Sequence, residues 1–162
     1  MNDQLKKLEH KFQNYFENDS ASIELLKQAE GELKIKFPYD FHYIAKFYSG
    51  GLIGLHSLFS FVRQGNEYNI VDKTLFYRRS NFGLPNKYLA LEETESSFIV
   101  METKTTSEEK TPIIYCSIPD AYNLAAEKKL EYKHRIFPSF ADFFEYLLTE
   151  EEKERGLIPD NT

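Results

Sequence analysis

The sequence predicts an α+β fold, a mostly antiparallel sheet flanked by N-terminal helices and one C-terminal helix. Three observations carry this. Apolar residues recur at helical spacing through the first fifty positions, short β-rich runs bounded by polar turns follow, and one amphipathic helix closes the chain. That segregated order argues against an alternating α/β fold.

Each element has its own signal. Leu5, Leu8, Phe12, Tyr15 and Phe16 place a first helix, with Lys6, Lys7, Glu9 and Lys11 on the opposite face. Asn18-Asp19-Ser20 interrupts it, and Ser20 or Ser22 caps a second helix carrying Ile23, Leu26, Ala29 and Leu33. Pro38 suits the first position of a third helix, where its missing N–H costs nothing. Asp40 then sets a carboxylate near the positive end of the helix dipole. Phe41, Ile44, Ala45 and Tyr48 form the buried stripe, and Gly50-Gly51 ends the helix, because glycine readily turns left-handed.

Residues 55–62 then read as a strand, and Ile70, Val71, Thr74, Leu75 and Arg78 as a short helix begun near Asn69. Further strands are expected over 88–91, 97–101, 112–116 and 130–136. Residues 92–96 join the first pair tightly, and the polar stretch 103–111 joins the next pair antiparallel. Ser139 caps the last helix, with Asp142 completing a variant capping box. Phe140, Phe143, Phe144, Leu147 and Leu148 line one face, and the first four should dock it on the sheet.

The chain of 162 residues suits one domain, and 14 Phe and 11 Tyr supply a core that disordered chains lack. No repeat or linker divides it. The expected organisation is an N-terminal helix over 1–19 packed on the domain, an α+β body over 20–152, and an acidic polar tail over 153–162. A lone Cys116 closes no intramolecular disulfide, so folding is expected to need neither disulfide nor metal. The charged first ten residues do not resemble a signal peptide. The most apolar stretch, 51–62, is interrupted by His56, Ser57 and Ser60 and falls short of the about 20 residues a membrane span needs. A cytoplasmic location without a membrane partner is expected. The net charge is −6, and from Asp142 onward seven acids face two bases, which accounts for most of it. Phosphate binding needs clustered Lys and Arg, so no nucleic-acid partner is expected.

Candidate chemistry is sparse. Gly50-Gly51-Leu52-Ile53-Gly54 imitates a phosphate loop, but such loops follow a strand and open a helix, and here the order is reversed. His10, His42, His56 and His134 show no metal-ligand spacing. Cys116 with His134 or His56 would make a nucleophile–base pair, but a free cysteine is more often a buried small hydrophobe. Lys73, Arg78, Arg79 and Lys87, interleaved with Phe76, Tyr77 and Phe82, read as the solvated basic edge of an amphipathic helix rather than a base-stacking platform. No catalytic residue, metal ligand or cofactor is assigned.

One longer pattern stands out. Ile23, Ala29-Glu30, Leu33, Phe37-Pro38, Asp40-Phe41 and Tyr48-Ser49-Gly50-Gly51 resemble the opening signature of the SUKH superfamily. Leu84-Pro85 before a Tyr-Leu strand, Pro112-Ile113-Ile114-Tyr115, and Ser139-Phe140-Ala141-Asp142-Phe143-Phe144 resemble its later elements, so the likeness covers residues 20–149. Ser49 stands where Asn is usual, Lys34 where many members carry Gly, and Glu93-Thr94-Glu95-Ser96 where a Gly-rich turn is usual. The resemblance implies a non-catalytic protein-binding domain, in many bacterial members an immunity protein that neutralises a cognate toxin. Some eukaryotic relatives are regulatory modules in cell-wall assembly. On that reading Glu92, Glu93, Glu95, Glu102, Glu108 and Glu109, on strand ends and loops, are the expected contact residues for a basic partner.

Overall fold

The computed structural model of the chain describes residues 2–63, 65–103 and 110–160. Helices α1 (Asn2–Gln13), α2 (Ile23–Leu33) and α3 (Tyr39–Ile44) come first, followed by a hairpin of β1 (Gly51–Ile53) and β2 (His56–Leu58). Helix α4 (Ile70–Arg79) precedes β3 (Tyr88–Glu93), β4 (Ser97–Glu102) and β5 (Ile113–Ser117). Helix α5 (Ile118–Ala125), β6 (Arg135–Phe137) and α6 (Phe140–Glu154) complete the chain. The larger sheet runs β3-β4-β5-β6, antiparallel throughout, so the α+β class and the antiparallel sheet stand as expected.

Helix α6 is central. Its Phe143 packs on Phe137 of β6, with ring centroids 5.2 Å apart. Its Phe144 faces the opposite way, into Phe12, Phe47 and Tyr48 from the N-terminal region. The expectation of one buried face docked on the sheet is therefore corrected: α6 is buried on two sides, between sheet and helices. Consecutive phenylalanines can do this because they sit about 100° apart on a helix of 3.6 residues per turn.

Several residues of the family-like signature turn out to hold elements together. The Glu30 Oε2 accepts from the Phe37 N–H at 2.7 Å, fixing the entry to α3. Buried Asp40 accepts from Phe41 N–H (2.9 Å) and Ala141 N–H (2.8 Å), so its carboxylate satisfies a free donor of α6, 101 residues away. Burial holds that carboxyl above its ordinary range, and the backbone N–H donors pull against it. Ser49, in the place of the usual Asn, donates to Asp19 Oδ2 at 2.8 Å. Lys34, in the place of Gly, takes the left-handed conformation at the C-terminus of α2 (φ 56°).

The structure differs from the sequence reading at five further points. Residues 55–62 are not one strand: Gly54 (φ 56°) and Leu55 (φ 68°) turn the chain between β1 and β2, leaving Leu55 73% exposed. Helix α3 stops at Ile44, before the glycines, and Pro38 is its N-cap rather than its first residue. Gly50 and Gly51 instead carry the chain into β1 with φ near 100°, and a Cβ at Gly50 would lie 2.5 Å from the Phe59 carbonyl oxygen. Ile23 is exposed rather than in the α2 stripe. Helix α5 was missed. Of 130–136 only the end forms a strand, because the Asp120 carboxylate takes the Glu131 and Tyr132 N–H groups at 2.7 and 2.9 Å.

Candidate functional site

The expected acidic contact residues do not form one face. Glu92 is only 4% exposed: it follows a register shift in β3, and its carboxylate accepts from His56 Nδ1 (2.9 Å) and Ser57 N–H (2.5 Å). It fastens the β1–β2 hairpin to the sheet and is not offered to a partner. Glu93 and Glu95 are exposed at the tip of the β3–β4 hairpin. Glu102 lies at the other end of β4, opposite Tyr88 and 3.8 Å from Lys87 Nζ. Tyr88 and Glu93 are five residue steps apart along β3, about 17 Å at about 3.3 Å per residue. Glu108 and Glu109 lie outside the described residues.

Beside Glu93 the surface opens into a groove of about 360 Å³ between α4, α5 and the β3–β4 hairpin. Asn69 caps α4 by accepting from Asp72 N–H, and Thr74 Oγ1 accepts from Ala90 N–H at 3.0 Å beside the register shift. Those anchors turn Ile70, Val71, Thr74 and Tyr77 inward and leave Phe76 outside. Ser117 caps α5 by accepting from Asp120 N–H, and Ile118 N–H reaches the Ser96 carbonyl, seating α5 against the same hairpin. Phe82 lines the groove, against Phe98 (5.5 Å) and Tyr122 (5.2 Å). Phe76 and Tyr122 stand on its rim, each 61% exposed. Exposed large aromatics around a concavity are the residue types that carry binding energy in protein interfaces. Tyr77 lies beneath, donating to Glu93 Oε1 at 2.7 Å; burial, and then Glu93, raise its phenol pKa far above normal.

Sequence reasoning missed Tyr122 with its helix, although Ser117-Ile118-Pro119-Asp120 is a good helix start. The basic, aromatic-interleaved stretch is broken up. Tyr77 is buried, Arg78 donates to the Leu33 and Asn86 carbonyls, and Lys73 lies over the Tyr68 ring. That matches the amphipathic-helix reading and not a stacking platform.

Among the described residues the histidines are held in separate local contacts. His56 has Nδ1 on Glu92 and Nε2 3.3 Å from the Tyr146 hydroxyl, and all three groups are tied into the packing of the hairpin. His42 sits 3.4 Å from Glu30, His134 faces the Tyr132 carbonyl, and His10 is exposed. Among the described residues no group of three or more His, Cys, Asp or Glu is placed to hold a metal ion. Nor is any helix among them long and apolar enough to cross a membrane.

Cys116 is 2% exposed, and burial, with Asp120 adding to it, pushes its thiol up to about 11. At pH 7 that leaves about a hundred-fold less thiolate than an ordinary cysteine. Native protein should therefore be silent to a thiol-reactive chromogen until guanidinium unfolds it. Rapid stoichiometric reaction in native buffer would reverse this account and restore Cys116 as a nucleophile candidate.

A family model described as SUKH_5, SMI1-KNR4 cell-wall, matches residues 1–149. No curated protein matches the chain.

Proposed function

The chain belongs to the SUKH family, and on that premise we propose that it is a non-catalytic cytoplasmic immunity protein that neutralises a cognate toxin by direct binding. The observation that supports a binding role is the groove with Phe76 and Tyr122 exposed on its rim and acidic Glu93 and Glu95 beside it. Neutralising a lethal activity inside the producing cell requires near-complete occupancy. That calls for a dissociation constant near nanomolar, about −12 kcal/mol. The acids steer encounter with a basic toxin domain, and the aromatics hold it. A second reading, a regulatory module for an endogenous partner, is favoured by the cell-wall wording of the family description.

The test is co-expression with the products of the neighbouring genes, a toxin domain being expected among them, followed by binding kinetics. Protection is expected. Reversing Glu93 and Glu95 together should slow association, by less as salt rises. Phe76→Ala with Tyr122→Ala should speed dissociation about thirty-fold, the rate equivalent of about 2 kcal/mol at a hot spot. No protection and no complex would sink the immunity reading in favour of the regulatory one.

A further inference from the structure

We infer that the groove receives a partner segment in which an arginine stands beside an apolar residue; this rests on the protein-binding reading above. Three features of the groove select that chemistry. The first is charge. Glu93 is the only charged side chain among its lining residues, and among the described residues no lysine or arginine pairs with it. The Tyr77 hydroxyl occupies Oε1 and holds the carboxylate at the groove, leaving Oε2 for a partner. Glu95, on the same hairpin tip, adds negative potential.

The second is the wall. Phe76, Phe82 and Tyr122 supply aromatic surface, and a guanidinium favours both an aromatic face and a carboxylate, while its methylene stem covers apolar surface. The third is size. A groove of about 360 Å³ is at the small end for ligand sites, suited to a side chain or two rather than a cofactor. A partner acid is disfavoured here, because it would meet a fixed carboxylate. Arg79, the exposed cation of α4, lines a separate depression with Arg63 and Asp72 on the other side of Phe76.

The probe is a set of three capped dipeptides, acetyl-Leu-Arg-amide, acetyl-Leu-citrulline-amide and acetyl-Leu-Glu-amide, titrated into the isotope-labelled full chain and followed by amide chemical shifts. Citrulline keeps the shape of arginine without its charge. The arginine peptide should perturb Glu93, Phe98 and Tyr122 and bind at least ten-fold tighter than the citrulline peptide. That advantage should vanish in Glu93→Gln, which keeps an acceptor for Tyr77, and survive in Glu102→Gln. Equal binding of the arginine and citrulline peptides, or shifts confined to other surfaces, would overturn the assignment. The wild-type comparison decides the matter even if Glu93→Gln folds poorly. Because no toxin is present, failure here with protection intact refutes only the groove chemistry. Arginine-selective binding without protection keeps the groove chemistry and refutes immunity.

Discussion

Phe143→Ala combined with Phe144→Ala is expected to leave little or no folded protein. Each ring is fully buried, and truncating such a phenylalanine costs about 3–5 kcal/mol through lost transfer energy and the cavity left behind. The two rings touch different partners, Phe137 on one side and Phe12, Phe47 and Tyr48 on the other, so each truncation opens its own cavity. The sum, about 6–10 kcal/mol, rivals the whole stability of an ordinary domain, about 5–15 kcal/mol. Guanidinium titrations of the single and double variants provide the measurement. Phe143→Ala should loosen chiefly the β6 side and Phe144→Ala the α1 and α3 side, visible as separate sets of shifted amides. A double variant within about 2 kcal/mol of wild type would show that α6 is not the element joining the two layers.

What was legible in the sequence, and what was not, follows from where each signal comes from. Helices α1, α2, α4 and α6 were readable because each has a cap or an apolar period of its own. Strands β3 to β5 were readable as short β-rich runs between polar turns. Errors arose where a long-range contact decides the outcome. The Asp120 carboxylate captures backbone donors that the expected strand before residue 135 would have used. Glu92 reads from the sequence as a loop acid, because β3 is buried on both faces up to that point and no alternation marks its side chain as internal. Its role depends on His56 and Ser57, 36 and 35 residues away. The groove was half visible: Phe76 stood out in the basic stretch, whereas Tyr122 needed α5. The concavity itself exists only once α4, α5 and the hairpin are brought together.

The β1–β2 hairpin supplies the second large effect. Gly54→Ala is expected to destabilise the chain by about 3 kcal/mol, against about 1 kcal/mol for Gly51→Ala three residues away. Both glycines have positive φ, 56° and 97°, so both substitutions incur backbone strain. Only Gly54 adds a collision: a Cβ there would lie 2.4 Å from the Leu147 carbonyl oxygen and 2.8 Å from Glu150 Cβ, whereas nothing lies within 4 Å of one at Gly51. The helix carbonyl cannot move without disturbing α6, so the hairpin must lift. Lifting breaks the Gly54 N–H bond to Glu151 (2.9 Å) and strains the buried His56–Glu92 contact beyond it. Leu55 provides the opposite sign. It is exposed and left-handed, a conformation that asparagine tolerates better, so Leu55→Asn should stabilise the fold by about 0.5–1 kcal/mol. Thermal melts of the three variants therefore separate contact from strain. If Gly54→Ala and Gly51→Ala cost the same, the close approach of hairpin to α6 contributes nothing. If Leu55→Asn destabilises, the exposed leucine is held by packing that its 73% exposure does not reveal.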